Sequence, residues 1–241
     1  MFIIPAIDLI EGRCVRLREG RLSSEEVYSK EPVAVAELWE LKGAKRLHIV
    51  DLDGAFEGEP QNLKIVKRIA KSIKIPIQFG GGVRSLKTIR EVLDCGVEYV
   101  ILGTTAISKP EFVKQAVKKF KKRIMVSIDA SNLKVRVQGW EKKTRKTAPV
   151  LAREMVKLGV RNIIFTDIRR DGTLKGPNIS QIKKMLKVVN IPLIISGGIS
   201  SLEDIRKLKP LEKKGLSGVI IGKALYTGQV DLEKAIGIGK Q

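Results

Sequence analysis

Two aspartates stand at equivalent places in the two halves of this chain. Ile7–Asp8 closes the first strand-like stretch and Ile128–Asp129 closes the fifth. Separated carboxylates of this kind can divide proton transfer, one as general base and one as general acid. Paired glycines recur around them. Gly80–Gly82 and Gly197–Gly198 each follow an apolar stretch and precede a helix-opening serine, Ser85 or Ser201, with Asp204 completing a capping pattern behind the second. Each is joined by a further glycine turn, Gly103–Thr104–Thr105 or Gly222–Lys223–Ala224. Glycine lets backbone N–H groups approach an anion closely, and a helix N-terminus adds positive potential. One Gly-Gly turn would say little, because glycine serves any tight turn. Two equivalent ones point to two phosphate sites on opposite sides of one mouth. Gly81, Gly82, Gly103 and Thr104 would form the first, with charge from Arg84. Gly197, Gly198, Gly222 and Lys223 would form the second. A ligand with a phosphate at each end suits that layout.

A supporting set accompanies the pair: Arg16, His48, Asp51, Trp140, Thr166, Asp167 and Asp171. The run TDIRRDGT at 166–173 is unusually polar for a strand end and its loop. His48 falls inside a strand, where a histidine is as readily a satisfied core residue as a ligand. Trp140, beside a glycine in the loop after the fifth strand, either stacks on a planar ring as a lid or anchors its loop.

Positioning these residues requires a regular scaffold. Short apolar, β-branched runs occur at 2–8, 46–51, 75–79, 99–102, 124–129, 162–167, 191–196 and 218–221, each followed by a helical pattern. Near-continuous apolar strands suit a parallel sheet covered on both faces. The helices carry apolar residues at three-to-four spacing, as in Ile65, Ile69 and Ile73, or Val150, Met155, Val156 and Leu158. Eight alternations in 241 residues fit a closed (β/α)₈ TIM barrel better than an open doubly wound sheet. An internal repeat supports this. IPIQFGGGVRSLKTIR at 75–90 matches IPLIISGGISSLEDIR at 191–206, VILG ending at Gly103 matches VIIG ending at Gly222, and Asp51 matches Asp167. The chain is expected to be one domain, residues 1–241, of two half-barrels at about 1–121 and 122–241. Active sites of such barrels lie at the C-terminal ends of the strands, where the residues above fall.

Composition bounds the rest. At 43% hydrophobic residues and a mean hydropathy of −0.03, the chain can bury a sizeable core. No apolar run reaches 18 residues, and the start, MFIIPAID, lacks the basic region and cleavage site of a signal peptide, so a cytoplasmic protein without a membrane partner is expected. Cys14 and Cys95 have neither redox nor zinc spacing and read as free and non-catalytic; with His48 the single histidine, no histidine-rich metal site is expected. The net charge of +20 admits a nucleic-acid partner. Yet the basic residues spread over nearly every helix, aromatics are only 5% and are not interleaved with them, so solvated helix faces are the favoured reading and no nucleic-acid partner is expected.

The segments PAIDLIEGRCVRL, HIVDLDGA, GGGVRS, LGTTA, SIDA, GW, TDIRRDGTLKGPN, SGGISS and GKALY, spanning nearly the whole chain, closely resemble the phosphoribosylformimino-5-aminoimidazole carboxamide ribotide isomerase family of histidine biosynthesis. The resemblance implies a cofactor-free Amadori rearrangement of an aminoaldose to an aminoketose on a small substrate bearing two phosphates; separately, the chain is expected to be a monomer. The resemblance also implies Asp8 as the base at C2′, Asp129 as the acid at the furanose ring oxygen, and Thr166 and Asp171 as assisting groups. Three relatives compete. The sister cyclase of imidazole glycerol phosphate synthase pairs with a glutaminase and usually has a lysine near position 16, where this chain has Arg16 continuing into LREG. A bifunctional form that also isomerises phosphoribosylanthranilate resembles the chain at Arg16, His48 and Trp140, but carries an arginine shortly before the Gly-Trp pair, where Gln138 stands here. Phosphoribosylanthranilate isomerase itself uses a cysteine where Asp8 stands.

Overall fold

Residues 1–18, 21–137, 140 and 142–240 are described by a computed structural model. Eight strands form its centre: β1 (Phe2–Ile10), β2 (Leu47–Asp51), β3 (Ile77–Gly80), β4 (Tyr99–Leu102), β5 (Ile124–Ser131), β6 (Ile163–Asp167), β7 (Leu193–Ser196) and β8 (Leu216–Ile221). Each pairs in parallel with the next. β8 closes on β1 from Phe2↔Gly218 to Pro5↔Ile221, completing a (β/α)₈ barrel with helices between successive strands.

Strand alternation sorts the side chains into two layers. Ile4, Ala6, Ile101, Met125, Ile164, Ile194 and Ile220 fill the barrel's interior, with Tyr99 against them. The opposite parity, including Ile7, Ile49, Phe79, Val126, Ile128 and Phe165, packs outward beneath the helices. Burying one such aliphatic or aromatic side chain stabilises the fold by roughly 1.5–3 kcal/mol, so the parity is strongly fixed. It also fixes the mouth. Following Ile4 and Ala6, Asp8 turns inward; following Met125 and Ser127, so does Asp129; following Ile164, so does Thr166.

The structure departs from the sequence expectation in several places. β3 and β7 begin at Ile77 and Leu193, after Pro76 and Pro192, because proline has no N–H for the ladder. The two proline carbonyls still accept, from Leu47 N and Ile163 N. β1 and β5 run on to Ile10 and Ser131, so Asp8 and Asp129 lie within strands rather than at their ends. Each of these strands continues into an antiparallel hairpin, Arg13–Arg18 with Arg21–Ser29 after β1, and Lys134–Val137 with Lys142–Thr147 after β5. Cys14 therefore sits in a strand; it and Cys95 are free. In the helix Ala148–Lys157 the buried face is Ala148, Leu151, Ala152 and Met155, whereas Val150 is 44% exposed. No helix among the described residues is long and apolar enough to cross a membrane.

Candidate active site

The C-terminal mouth of the barrel holds a cleft of about 250 Å³. Asp8, Asp129, Thr166 and Asp171 line it at the centre, together with Arg16, His48 and Trp140. Gly81, Gly82, Arg84, Gly103 and Thr104 line one rim; Gly197, Gly198, Gly222 and Lys223 line the other. The structure thus brings these sequence-marked residues to one cavity. Asp51 and Asp167 do not reach it, since they share the outward parity of Ile49 and Phe165. Asp51 instead accepts from Gly54 N, Gln61 N and Asn62 N at 2.7–2.9 Å and from Asn62 Nδ2 at 2.7 Å. Asp167 accepts from Arg169 N and from Asn178 Nδ2, at 3.1 and 3.0 Å. Both organise the loop beneath a rim.

The rims are built alike. Gly81 has φ +118 and a Cβ there would meet Asp51 O at 2.1 Å; Gly197 has φ +93 and a Cβ would meet Asp167 O at 2.8 Å. Only glycine fits between rim and loop. Gly103 (φ −99, ψ −104) and Gly222 (φ −106, ψ −103) share one backbone conformation at the start of the next helix. Ser85 and Ser201 cap the helices that follow, accepting from Thr88 N and Asp204 N, and Asp204 closes a capping box. Glycine turns leading into capped helix N-termini can hold an anion.

The two central carboxylates have different partners. Arg16 Nη1 donates to Asp8 Oδ2 at 2.5 Å, and Arg16 Nη2 donates to Ala6 O. The guanidinium lies 4.9 Å from the centre of the Tyr226 ring, whose hydroxyl donates to Ala6 O at 3.1 Å. Burial disfavours the charge of Arg16, yet Asp8, Tyr226 and Asp171 outweigh it and hold its pKa above the ordinary value. A Cβ at Gly222 would come within 2.8 Å of Arg16 Cζ, so this arginine also reaches the second rim. Among the described residues no cation pairs with Asp129. Ser127 Oγ donates to Oδ1 at 2.6 Å and Trp140 Nε1 donates to Oδ2 at 2.9 Å. Trp140, at φ +74, thus brings its indole nitrogen to the site. Thr166 stands beside Asp129 in register and is buried.

Asp171 shares this space. Burial first, then the neighbouring charges of Asp8 and Asp129 against the opposing Arg16, raise its carboxyl pKa to about 7. Burial, and then Arg16, push His48 down to about 3, so its ring is neutral at neutral pH. Gln78 Nε2 lies 3.0 Å from His48 Nδ1, donating to an unprotonated ring nitrogen. At the rims, Lys223 Nζ donates to Glu26 Oε1 at 2.7 Å, and Arg84 Nη2 donates to Ala55 O at 3.4 Å. Among the described residues no cluster of three or more His, Cys, Asp or Glu could hold a metal ion. Gln138 and Gly139, and Glu19 and Gly20 of the LREG stretch, lie outside the described residues.

Sequence reasoning passed over Ser127, Gln78, Tyr226 and the loop-holding Asn62 and Asn178. A signal existed for the asparagines, since Pro-Gln-Asn-Leu and Pro-Asn-Ile precede equivalent helices. Ser127 shares the parity of Asp129.

The model of the family described as "Histidine biosynthesis protein" matches residues 2–231. The chain is 49% identical over 240 residues to a protein of Desulforamulus reducens, covering 100% of this chain and 98% of the relative. It is 48% identical over 238 residues to one of Moorella thermoacetica, with 99% and 98% covered. It is 50% identical over 236 residues to one of Gloeothece citriformis, with 98% and 92% covered. All three are named 1-(5-phosphoribosyl)-5-((5-phosphoribosylamino)methylideneamino) imidazole-4-carboxamide isomerase.

Proposed function

The chain belongs to the histidine biosynthesis protein family, and from that premise we propose that it isomerises the same imidazole carboxamide aminoaldose as these relatives. The observation that carries this reading is the placement of Asp8 and Asp129 in one cleft between two matching glycine rims.

The reaction is an Amadori rearrangement. A proton delivered to the furanose ring oxygen breaks the C1′–O bond and leaves an open-chain imine. Asp8, held by Arg16, removes the proton from C2′. The electron pair moves between C2′ and C1′, and the resulting enaminol gains a proton at C1′ and settles as the aminoketose. Each acid–base group typically contributes about 10²–10⁴-fold, so positioning must supply much of the remaining acceleration. Two phosphates gripped at opposite rims are a source of that positioning.

Asp129 is the acid in this reading, with Thr166 and Asp171 assisting. One observation favours a second assignment of the donated proton. Both oxygens of Asp129 accept hydrogen bonds, whereas Asp171 has its pKa lifted to about 7 and keeps a proton on the acid side of that value. With Asp171 as donor, kcat/KM of the wild type falls as pH rises through about 7, because the deprotonated carboxylate cannot donate. Asp171→Asn would then remove that limb together with most of the activity. A limb kept in Asp171→Asn and lost in Asp129→Asn returns the role to Asp129.

The finer parts of the proposal are a monomer in the cytoplasm, folded as one domain of two half-barrels and needing no nucleic-acid or protein partner. Sedimentation of the purified protein tests the monomer. The decisive assay offers the aminoaldose beside phosphoribosylanthranilate. Turnover of the first alone supports the isomerase, and turnover of both indicates the bifunctional form. Ammonia-dependent imidazole formation from the open-chain ribulosyl product would point to the cyclase.

A further inference from the structure

Arg136 sits on the hairpin strand Lys134–Val137, and its side chain lines the cleft next to Val137 and Trp140. Its neighbour Val135 is fully buried in the layer beneath the helices, so strand alternation turns Arg136 to the other face, toward the mouth. Arg136 Nε is buried without a hydrogen-bond partner. The cleft's other cations are engaged: Arg16 with Asp8, Lys223 with Glu26, and Arg84 with Ala55 O. Among the described residues no carboxylate pairs with Arg136. A partly desolvated guanidinium without a counter-charge is costly unless an anion comes to it.

The repeat indicates which anion. Thr104 occupies, at the β3–β4 rim, the place that Lys223 occupies at the β7–β8 rim. At that place the first rim lacks the cation built into the second, and its other cation, Arg84, donates to Ala55 O instead. The Arg136 hairpin springs from β5, which pairs with β4 from Val100↔Ile124 to Leu102↔Val126, and Gly103 and Thr104 follow directly on β4. We propose that Arg136 is a substrate-binding residue whose guanidinium closes on the phosphate held at the β3–β4 rim. This rests on the bisphosphate reading above. The planar fork of arginine suits a phosphate's paired oxygens in a way a lysine does not reproduce.

The test is Arg136→Ala, beside Arg136→Gln and Arg136→Lys, in steady-state turnover of the aminoaldose and in calorimetric binding of inorganic phosphate. Losing a charge-assisted contact should lower kcat/KM about tenfold to a hundredfold, mainly through KM, with Arg136→Lys recovering part. One of two phosphate sites per chain should weaken by a similar factor while the other is unchanged. Arg136→Ala and Arg136→Gln that match the wild type within about twofold, in whichever of these is measurable, overturn the assignment. A wild type that does not turn over the aminoaldose, yet loses one phosphate site on substitution, keeps Arg136 as an anion ligand and removes the substrate reading instead.

Discussion

Asp8 and Asp129 occupy the same place in the two halves of the barrel and have different surroundings. Strand parity brings both inward at the mouth, one above Ile4 and Ala6, the other above Met125 and Ser127. The hairpin after β1 then gives Asp8 a buried arginine, while β5 and its hairpin give Asp129 a hydroxyl and an indole N–H. The scaffold sets where a carboxylate stands. The loops set whether it faces a cation or neutral donors, and so which side of a proton transfer it can serve.

The strongest way to break this comparison is to remove each carboxylate's charge. Asp8→Asn and Asp129→Asn should each lower turnover by about 10²–10⁴-fold while substrate affinity stays within about tenfold. Isomerisation retained in either variant removes that residue from the chemistry. The two should then differ in stability. Asp8→Asn leaves Arg16 buried without its counter-charge, a loss of about 3 kcal/mol or more, whereas Asp129→Asn disturbs hydrogen bonds to neutral groups and should cost about 1 kcal/mol. Equal urea midpoints for the two variants would contradict the different surroundings. The rims offer a parallel contrast. Gly81→Ala should destabilise more than Gly197→Ala, because its Cβ would approach a carbonyl oxygen at 2.1 Å against 2.8 Å. Both should lose about 1–3 kcal/mol or more in denaturant titrations.

Much of this was legible in the sequence, and the exceptions have physical reasons. The eight strands announced themselves because strands covered on both faces must be apolar throughout. That same uniformity hid their parity. In 124–128, IMVSI, nothing tells which alternate set faces inward, so Asp51 and Asp167 stood in the supporting set beside the central pair. The hairpins were invisible for the opposite reason. KKTRKT at 142–147 carries no apolar alternation and holds its strand form through pairing with Lys134–Val137. The glycine rims were legible because a backbone constraint leaves its mark in residue identity. The role of Trp140 depends on a contact across 11 residues that only folding creates, and that of Ser127 on sharing the parity of Asp129.

Two smaller effects sharpen the comparison further. Trp140→Phe removes one donor from Asp129 and none from Asp8, and should lower kcat about threefold to tenfold while leaving stability nearly unchanged. His48 titrates at about 3 in the folded chain against 6.5 ordinarily. The unfolded chain therefore binds the extra proton between those values, and stability falls as pH drops from 6.5 toward 3. Urea midpoints should decline less between neutral pH and that window in His48→Gln than in the wild type.

The most direct measurement is a crystal structure of the Asp8→Asn variant with the aminoaldose bound. The account predicts one phosphate on the Gly81, Gly82 and Gly103 rim, the other on the Gly197, Gly198 and Gly222 rim, and C2′ of the sugar within hydrogen-bond reach of the side chain at position 8. A substrate with either phosphate off its rim, or with C2′ facing away from that side chain, would contradict it.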